Sequence, residues 1–357
     1  MGYTLEQRIV LAQRALGNSV VAINHDVAGA STETIYVGIK DTECIPDDLI
    51  ETIKSSSRYR ILTVDKMSDF GRSVDSDLVN PLTFSPMTGS TSGGPINILK
   101  GITDVCIGTD GGGSVLAPAL ATNLYSFLGT GIGLTCTQKG ISTDGIPLSP
   151  GVGVIGASLE SVIDLVKLIC QIDIDCSPRK RHLKLVLPAP SCKKHPSRAT
   201  IYERIQSYLK ALSVEVDCVT YPYIDMADRK STVNDLKHIW REDPCAIVVS
   251  FEGPIDYPLP EESIRSSFRG LVEEGSDVDH TKLLCKSINI AGGTAITIPA
   301  DEIASGLLLA AAPGLEQVQN LVFLAKEIDK ITPKSALFEK YFLNHEKALT
   351  IRTSTVF

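Results

Sequence analysis

The chain has 357 residues, of which 43% are hydrophobic and 21% are charged, and its formal net charge is −8 at pH 7. This apolar content is enough for a substantial core without disulfide or metal staples. The acidic balance argues against general nucleic-acid binding, which needs a basic surface. The sequence contains no run of eighteen apolar residues, so we expect no transmembrane helix. The first residues lack the pattern of a signal peptide.

The N-terminal part of the sequence predicts helices and strands in alternation. An amphipathic helix is expected over residues 4–16, with Thr4 as its N-cap and Gly17 as its stop. A second helix is expected over about residues 47–54, and the polar, proline-bearing residues 72–86 are expected to be loop. Short β-branched runs of the kind found in buried strands occupy residues 19–23, 35–39 and 60–64.

The same alternation continues to the C-terminal part of the chain, and residues 149–157 are expected to be a Gly-rich turn. The expected helices are residues 93–100, 114–122, 158–170, 202–212, 234–240 and 315–328. The expected strands are residues 103–107, 183–187, 214–219, 246–250, 296–298 and 307–311. This alternation predicts an α/β fold, with a central mixed, mostly parallel sheet covered by helices on both faces.

Residues 108–114, Gly-Thr-Asp-Gly-Gly-Gly-Ser, are the most informative part of the sequence. Glycine lets the backbone pass close to a ligand, and successive N–H groups in such a turn can converge on an anion. A hydroxyl beside those donors, here that of Ser114, suits acyl transfer, which needs a nucleophile next to oxyanion donors. The pattern also fits an ordinary turn between a strand and a helix, so the neighbouring segments decide its interpretation.

A second cluster of hydroxyls and glycines lies upstream, at residues 87–95, Met-Thr-Gly-Ser-Thr-Ser-Gly-Gly-Pro. Two such clusters around a short helix and strand resemble the amidase signature family, which carries a GGSSGGS-like segment and then a GTDxGGSxRxP-like segment. The second segment is matched here by Gly108, Thr109, Asp110, Gly112, Gly113, Ser114 and Pro118. The resemblance implies an α/β/α fold and the hydrolysis or transfer of carboxamides by a Ser–cis-Ser–Lys triad.

The resemblance extends beyond these two segments, to residues 18–24, 35–41, 61–70 and 289–299, the last with Thr294 where proline is usual. Residues 1–165 and 285–330 can be laid on the family pattern. Residues 177–284 cannot, and we expect them to be a divergent insert within a single domain over residues 1–357.

The family's roles are carried over onto matching positions of this chain. The resemblance implies that Ser114 is the nucleophile, Thr91 the proton relay at the cis-serine position, and Lys40 the base. To act as a base, the amine of Lys40 must be uncharged, so burial must lower its pKa. The oxyanion hole is expected at Gly111, Gly112 and Gly113, and substrate contacts are expected from Ser90, Ser92 and Asp144.

The sequence also departs from the family pattern. Thr91 replaces the relay serine and adds a methyl group, Leu116 replaces an arginine, and the segment between Lys40 and Thr91 is short. These departures motivate an alternative, a catalytically degenerate relative that binds a ligand or partner without turnover. A third interpretation, an amidotransferase-like subunit that receives ammonia, ranks lower because the chain shows no basic RNA-binding face.

Other catalytic arrangements find less support in the sequence. Lys66 is a rival base, but its Val-Asp-Lys-Met-Ser context matches a family segment that is not catalytic. The six histidines have no recognisable partner motif, and Ser114 does not lie in a G-x-S-x-G elbow. The Gly run does not end in the Gly-Lys-Ser/Thr of a phosphate-binding loop.

Nine cysteines are scattered singly, without a C-x-x-C pair, so we expect no zinc site. Free thiols fit a reducing cytoplasm, which we take as the expected location. We expect neither a metal nor an organic cofactor. The expected partner is a small-molecule amide substrate, with no nucleic acid and no membrane, and the sequence is compatible with a homodimer.

Overall fold

A computed structural model describes residues 3–27, 33–142, 145–174, 183–190, 199–221, 228–255 and 282–345. The helices within these ranges that matter below are Leu5–Ala15 (α1), Asp47–Ser55 (α2), Gly93–Leu99 (α3), Leu116–Ala121 (α4), Leu159–Cys170 (α5), Ile201–Leu209 (α6), Arg229–Glu242 (α7), Ile288–Ala291 (α8) and Leu315–Ile331 (α9). None of the described helices is both long enough and apolar enough to cross a bilayer.

Within the described ranges, eleven strands form one sheet in the order β1-β3-β2-β6-β10-β7-β14-β15-β13-β11-β12. Its strands are Val20–Ile23 (β1), Ile35–Lys40 (β2), Tyr59–Asp65 (β3), Val105–Asp110 (β6), Tyr125–Leu128 (β7), Gly151–Gly156 (β10), Leu183–Pro188 (β11), Val216–Tyr221 (β12), Ile247–Glu252 (β13), Thr294–Pro299 (β14) and Gly306–Ala311 (β15). Two small hairpins pair Val74–Val79 (β4) with Pro86–Thr88 (β5), and Gly140–Ile141 (β8) with Pro147–Leu148 (β9).

The α/β fold with a mixed sheet is confirmed, but the expectation of a mostly parallel sheet is wrong. Six of the ten pairings in the large sheet are antiparallel and four are parallel. Parallel neighbours need a crossover of a dozen or more residues. Residues 300–305, which join β14 to β15, are too few for one, so that pair is antiparallel.

Helices cover both faces of the sheet, as the packing around β6 shows. Side chains alternate between the faces along a strand. Val105 and Ile107 share a buried cluster with residues of α5, whereas Cys106 packs with Ile98 and Leu99 of α3. Therefore α5 and α3 lie on opposite faces, and β6 is buried between them.

The segment 149–157, expected to be a turn, instead contributes the buried central strand β10. Its glycines serve close packing: a Cβ on Gly153 would lie 2.7 Å from the carbonyl oxygen of Phe127 and 2.9 Å from Cγ1 of Val115. Glycine within a strand marks such a close approach. The composition suggested a turn because the neighbouring backbone that requires these glycines is distant in sequence.

The segment 72–86, expected to be loop, contains β4 and the start of β5. Its polar side chains have partners inside the protein, since the buried carboxylate of Asp75 accepts hydrogen bonds from Lys66 and Ser92. Because the partners of these polar residues lie outside the segment, the segment by itself shows no strand pattern.

The helix start that the sequence predicted at Thr4 is formed by side-chain caps. In α1 the Thr4 hydroxyl accepts the N–H of Gln7, and the Gln7 side chain accepts the N–H of Thr4. This reciprocal pair satisfies two donors that a helix start leaves without partners. Ala12 and Ala15 of α1 pack in one buried cluster with Val20 of β1, at one edge of the sheet.

Candidate active site

The parallel pairing of β2 and β6 positions Lys40 and Asp110, the first two residues of the site. The register sets Ile39 opposite Ile107. The strands end at Lys40 and Asp110, so both residues lie at the same edge of the sheet. The carboxyl ends of parallel strands are where α/β proteins commonly bind ligands.

The Lys40 side chain is almost completely buried, with 3% of the residue exposed. Its Nζ donates to the hydroxyl oxygens of Ser90, at 2.8 Å, and Thr109, at 2.7 Å, and to the Thr109 carbonyl oxygen at 3.4 Å. These three oxygens match the three N–H donors of a lysine ammonium. The lysine is therefore part of a buried network and not a surface charge.

Burial lowers the pKa of Lys40 to about 8, because removal from water disfavours the ammonium form. The carboxylate of Asp110 opposes this shift. About half of Lys40 is therefore neutral near pH 8, and the neutral amine is the form that can accept a proton.

The structure brings Ser90, and not Thr91, to the amine of Lys40. The Thr91 hydroxyl instead donates to the Thr109 carbonyl oxygen at 3.4 Å. Its side chain packs on Gly108, where an added Cβ would lie 2.4 Å from Cγ2 of Thr91. The cis peptide found in the described ranges is Gly253–Pro254, so the Ser90–Thr91 peptide is trans.

Ser114 is partly exposed and lies beside the Ser90–Thr91 segment, since its carbonyl oxygen accepts the Thr91 N–H at 3.3 Å. It lies two residues before the first residue of α4. Thr91 is thus joined through its main chain to Ser114, while the adjacent Ser90 contacts Lys40. The dipeptide Ser90–Thr91 therefore contacts both Lys40 and Ser114.

Asp110 holds the Gly-rich turn in shape. Its fully buried carboxylate accepts the N–H groups of Gly113 at 2.6 Å, Val115 at 2.7 Å and Leu116 at 3.3 Å. Burial raises the pKa of Asp110, and these hydrogen bonds oppose the rise. The expected oxyanion donor Gly113 is therefore already engaged.

The described part of the chain offers no hydrogen-bond partner for the N–H groups of Gly111, Gly112 and Ser114. Gly113 has φ +98°, a backbone conformation that favours glycine. The side chain of Asn289 donates to the Gly111 carbonyl oxygen at 3.4 Å and braces the start of the turn.

The remaining predicted substrate contacts differ in their surroundings. Ser92 is fully buried, and its hydroxyl donates to Asp75 at 2.6 Å, so it braces the loop from inside the protein. Asp144 lies outside the described residues.

The rival base Lys66 forms ion pairs with Asp77 at 2.8 Å and Asp75 at 3.1 Å. Partial burial alone would lower the pKa of Lys66, but its hydrogen bonds to the two carboxylates outweigh that effect and raise it. A lysine held as a cation is a poor base, which favours Lys40. Within the described ranges no group of three or more histidine, cysteine, aspartate or glutamate residues could hold a metal ion.

Two residues of the site were assigned no role from the sequence. Thr109 accepts two of the hydrogen bonds of Lys40, and it was present in the matched segment. Asn289 starts the downstream segment that resembles the family, but its contact with Gly111 joins positions 178 residues apart. The local sequence pattern includes both residues, but it does not show which residues they form hydrogen bonds with.

This chain is similar to known proteins in its structure. No family model matches the sequence, and no curated protein matches it. The structure is similar to an amidase, with a TM-score of 0.65 and 14% identity over 92% of this chain and 95% of that chain. It is also similar to the peptide amidase of Stenotrophomonas maltophilia, with a TM-score of 0.63 and 14% identity over 92% of this chain and 93% of the other.

A third similar structure is that of a glutamyl-tRNA(Gln) amidotransferase component from Thermotoga maritima, with a TM-score of 0.61 and 15% identity over 92% and 93% of the two chains. At such identities the likeness shows the fold alone. The resemblance to amidase signature enzymes is therefore confirmed at the level of the fold, over most of the chain.

Proposed function

We propose that this protein is an amidase-type hydrolase, a carbon–nitrogen bond hydrolase that acts on a small non-peptide carboxamide through an acyl-enzyme on Ser114. The observation that carries the proposal is the buried Lys40 amine in hydrogen-bond contact with Ser90, at the sheet edge that also bears the Gly-rich turn. The shared fold with amidases supports this reaction class.

The proposed relay runs from Ser114 through Ser90 to Lys40. A neutral lysine amine has two donors and one lone pair. It can keep both contacts to Thr109 while accepting the Ser90 proton, because all three oxygens already lie around Nζ. Ser90 then accepts the proton of Ser114 as the Ser114 oxygen attacks the carbonyl carbon. Thr91, the relay implied by the family register, acts through packing and its main chain.

The amide bond breaks when the proton returns. The lysine ammonium gives its proton back through Ser90 to the leaving nitrogen, which departs as ammonia or an amine, and the acyl group stays as an ester on Ser114. Water, or a second amine if the enzyme transfers the group, then attacks the ester by the same relay. The tetrahedral oxyanion is stabilised by the N–H groups of Gly111, Gly112 and Ser114, each worth about 3 kcal/mol by analogy with measured oxyanion donors.

The test is covalent labelling with a fluorophosphonate, followed by peptide mapping. The adduct is expected on Ser114, and Ser114→Ala is expected to remain unlabelled and to hydrolyse no amide. Ser114→Ala that turns over a panel of short amides as fast as the unchanged protein contradicts the proposal. Labelling without any turnover would instead favour the ligand-binding relative.

A further inference from the structure

We propose that Cys44 and Cys136 form a thiol pair beside the Lys40 amine, and that reversible oxidation of this pair to a disulfide lowers the activity of the enzyme. The oxidant is a low-molecular-weight disulfide such as oxidised glutathione. The effect on activity rests on the proposed function, because it acts through Lys40. The formation of the disulfide does not depend on that function.

The two cysteines lie at the edge of the sheet that bears the candidate site. Cys44 follows Lys40 in the connection from β2 to α2, and Cys136 lies between β7 and β8. The N–H of Cys136 donates to the Pro150 carbonyl oxygen at 2.7 Å, directly before the first residue of β10. Since β10 runs antiparallel to β6, its start lies at the carboxyl end of β6, where the Gly-rich turn begins.

The two cysteines are in contact through both main chain and side chains. The residue after Cys136, Thr137, donates its N–H to the Cys44 carbonyl oxygen at 3.2 Å. The Cys44 thiol donates to the Gln138 side chain at 3.6 Å, and the thiols of Cys44 and Cys136 are in hydrogen-bond contact with each other. A disulfide needs two Cα atoms about 4.4–6.8 Å apart, which two main chains joined in this way allow.

The thiol pair is also close to the candidate base. Burial lowers the pKa of Lys40, and the charges of Asp110, Cys136 and Cys44 oppose that shift. Burial and the neighbouring Cys44 raise the pKa of Cys136 to about 12, and the charge of Lys40 opposes that rise. The amine and the thiols affect one another in both directions because they lie close together.

Exposure to solvent sets the order in which the two thiols react. Cys136 is buried, with 7% of the residue exposed, and its raised pKa keeps it protonated at neutral pH. Cys44 is partly exposed, and both thiols are free. Because the thiolate of an accessible cysteine is the reactive form, Cys44 reacts with the oxidant first.

The oxidation proceeds by two thiol–disulfide exchanges. The Cys44 thiol loses its proton, and its sulfur attacks one sulfur of oxidised glutathione, whose S–S bond breaks. One glutathione leaves and takes up a proton, and the other stays on Cys44 as a mixed disulfide. The Cys136 sulfur then attacks the Cys44 sulfur, and the Cys136 proton goes to the second departing glutathione. Two protein thiols are oxidised, and one glutathione disulfide is reduced to two thiols.

The disulfide acts on Lys40 through the chain. An S–S bond of about 2.05 Å is shorter than the contact between two thiols. Oxidation therefore draws the segment after Lys40 toward Cys136, which the Pro150 carbonyl oxygen holds beside β10. The hydrogen bonds of Lys40 to Ser90 and Thr109, at 2.8 Å and 2.7 Å, depend on the position of that strand end. A displacement of about 1 Å costs up to about 10²-fold in rate.

The test treats the folded protein with oxidised glutathione and maps its disulfides by mass spectrometry without reduction. We expect a linked pair of peptides that contain Cys44 and Cys136, a kcat for amide hydrolysis at least about tenfold lower, and recovery of activity with dithiothreitol. Cys44→Ser is expected to form no such link and to keep its activity under the same treatment. The matched control is Cys245→Ser, which removes an exposed cysteine and leaves both the link and the loss of activity in place.

Three outcomes overturn the inference. A link that forms only in urea would show that the two thiols do not meet in the folded protein. A linked protein that hydrolyses amides as fast as the reduced protein would show that the disulfide does not act on the site. A Cys44→Ser variant that loses as much activity as the unchanged protein would place the effect of the oxidant elsewhere.

Failure of the proposed function gives a different result. If Ser114 takes no fluorophosphonate label and no amide is hydrolysed, the disulfide is still measured by peptide mapping. A link between Cys44 and Cys136 would then support the thiol pair without the reaction, and its absence would overturn the pair. An active enzyme in which no link forms overturns the thiol pair and leaves the proposed function in place.

Discussion

The amine nitrogen of Lys40 lies 2.8 Å from the hydroxyl oxygen of Ser90, which follows it in the chain by fifty residues. The contact is buried, and it connects the end of β2 to the loop that precedes α3. It distinguishes a lysine held inside the protein from the surface lysine that usually follows an apolar strand. Both members of this pair can be tested separately by substitution.

The first prediction concerns the base and its pH dependence. The pKa of Lys40 is lowered to about 8, and only the amine above that pKa accepts a proton. We therefore expect kcat/KM to rise with pH and to reach half of its maximum near pH 8. Lys40→Ala is expected to lower kcat at least about 10³-fold. The control Lys54→Ala, which removes an exposed lysine paired with Glu51, should retain full activity. A profile that is flat across this range would contradict the assignment.

The second prediction separates the two candidate relays. Ser90→Ala removes the hydroxyl that contacts Lys40 and is expected to cost about 10²- to 10⁴-fold in kcat. Thr91→Val keeps the methyl group packed on Gly108 and removes the hydroxyl that donates to Thr109. We expect this variant to retain activity within about tenfold, since it loses one neutral hydrogen bond of about 1 kcal/mol. The reverse order of the two losses, measured in one amide hydrolysis assay, would restore Thr91 as the relay.

The third prediction concerns the support of the Gly-rich turn. Asp110→Asn replaces one acceptor oxygen by an N–H₂ group that faces main-chain N–H donors. We expect a loss of about 1–3 kcal/mol in the free energy of unfolding and slower fluorophosphonate labelling of Ser114. Asp173→Asn, at a carboxylate with 92% of its side chain exposed, is the matched control. Urea denaturation and the labelling rate check both effects, and unchanged values for Asp110→Asn would show that the turn keeps its shape without the carboxylate.

The fourth prediction concerns Asp65, which is buried in β3. Burial raises the pKa of Asp65 to about 7, against hydrogen bonds from Thr63 and Asn97 that lower it. The folded state therefore holds a proton that the unfolded chain releases near pH 4. Wild-type stability consequently falls as the pH rises from about 4 to about 7, and this loss should be absent in Asp65→Asn.

The measurement is urea denaturation of both proteins at pH 5 and pH 8. Relative to Asp65→Asn, the wild type is expected to lose about 2 kcal/mol or more between the two pH values. If the free energies of unfolding of the two proteins differ by the same amount at both pH values, Asp65 titrates near its ordinary value in the folded protein.

Much of the fold could be predicted because local patterns carry it. The Thr4 cap, the helix at α5 and the strands β2, β3 and β6 follow from side-chain periodicity and end signals within each segment. The turn before Ser114 was likewise visible, since three consecutive glycines need no distant partner to be recognised. The expectations were wrong for segments, such as β10, whose composition depends on contacts with residues that are distant in sequence.

The sequence by itself determined the order of helices and strands, the Gly-rich turn and the lysine at the end of β2. Only the tertiary structure decided which hydroxyl meets Lys40, since Ser90 and Thr91 are neighbours with similar chemistry and their side chains point to different partners. The physical reason is that periodicity and capping act within a few residues, whereas a site depends on side-chain directions fixed by packing between distant segments.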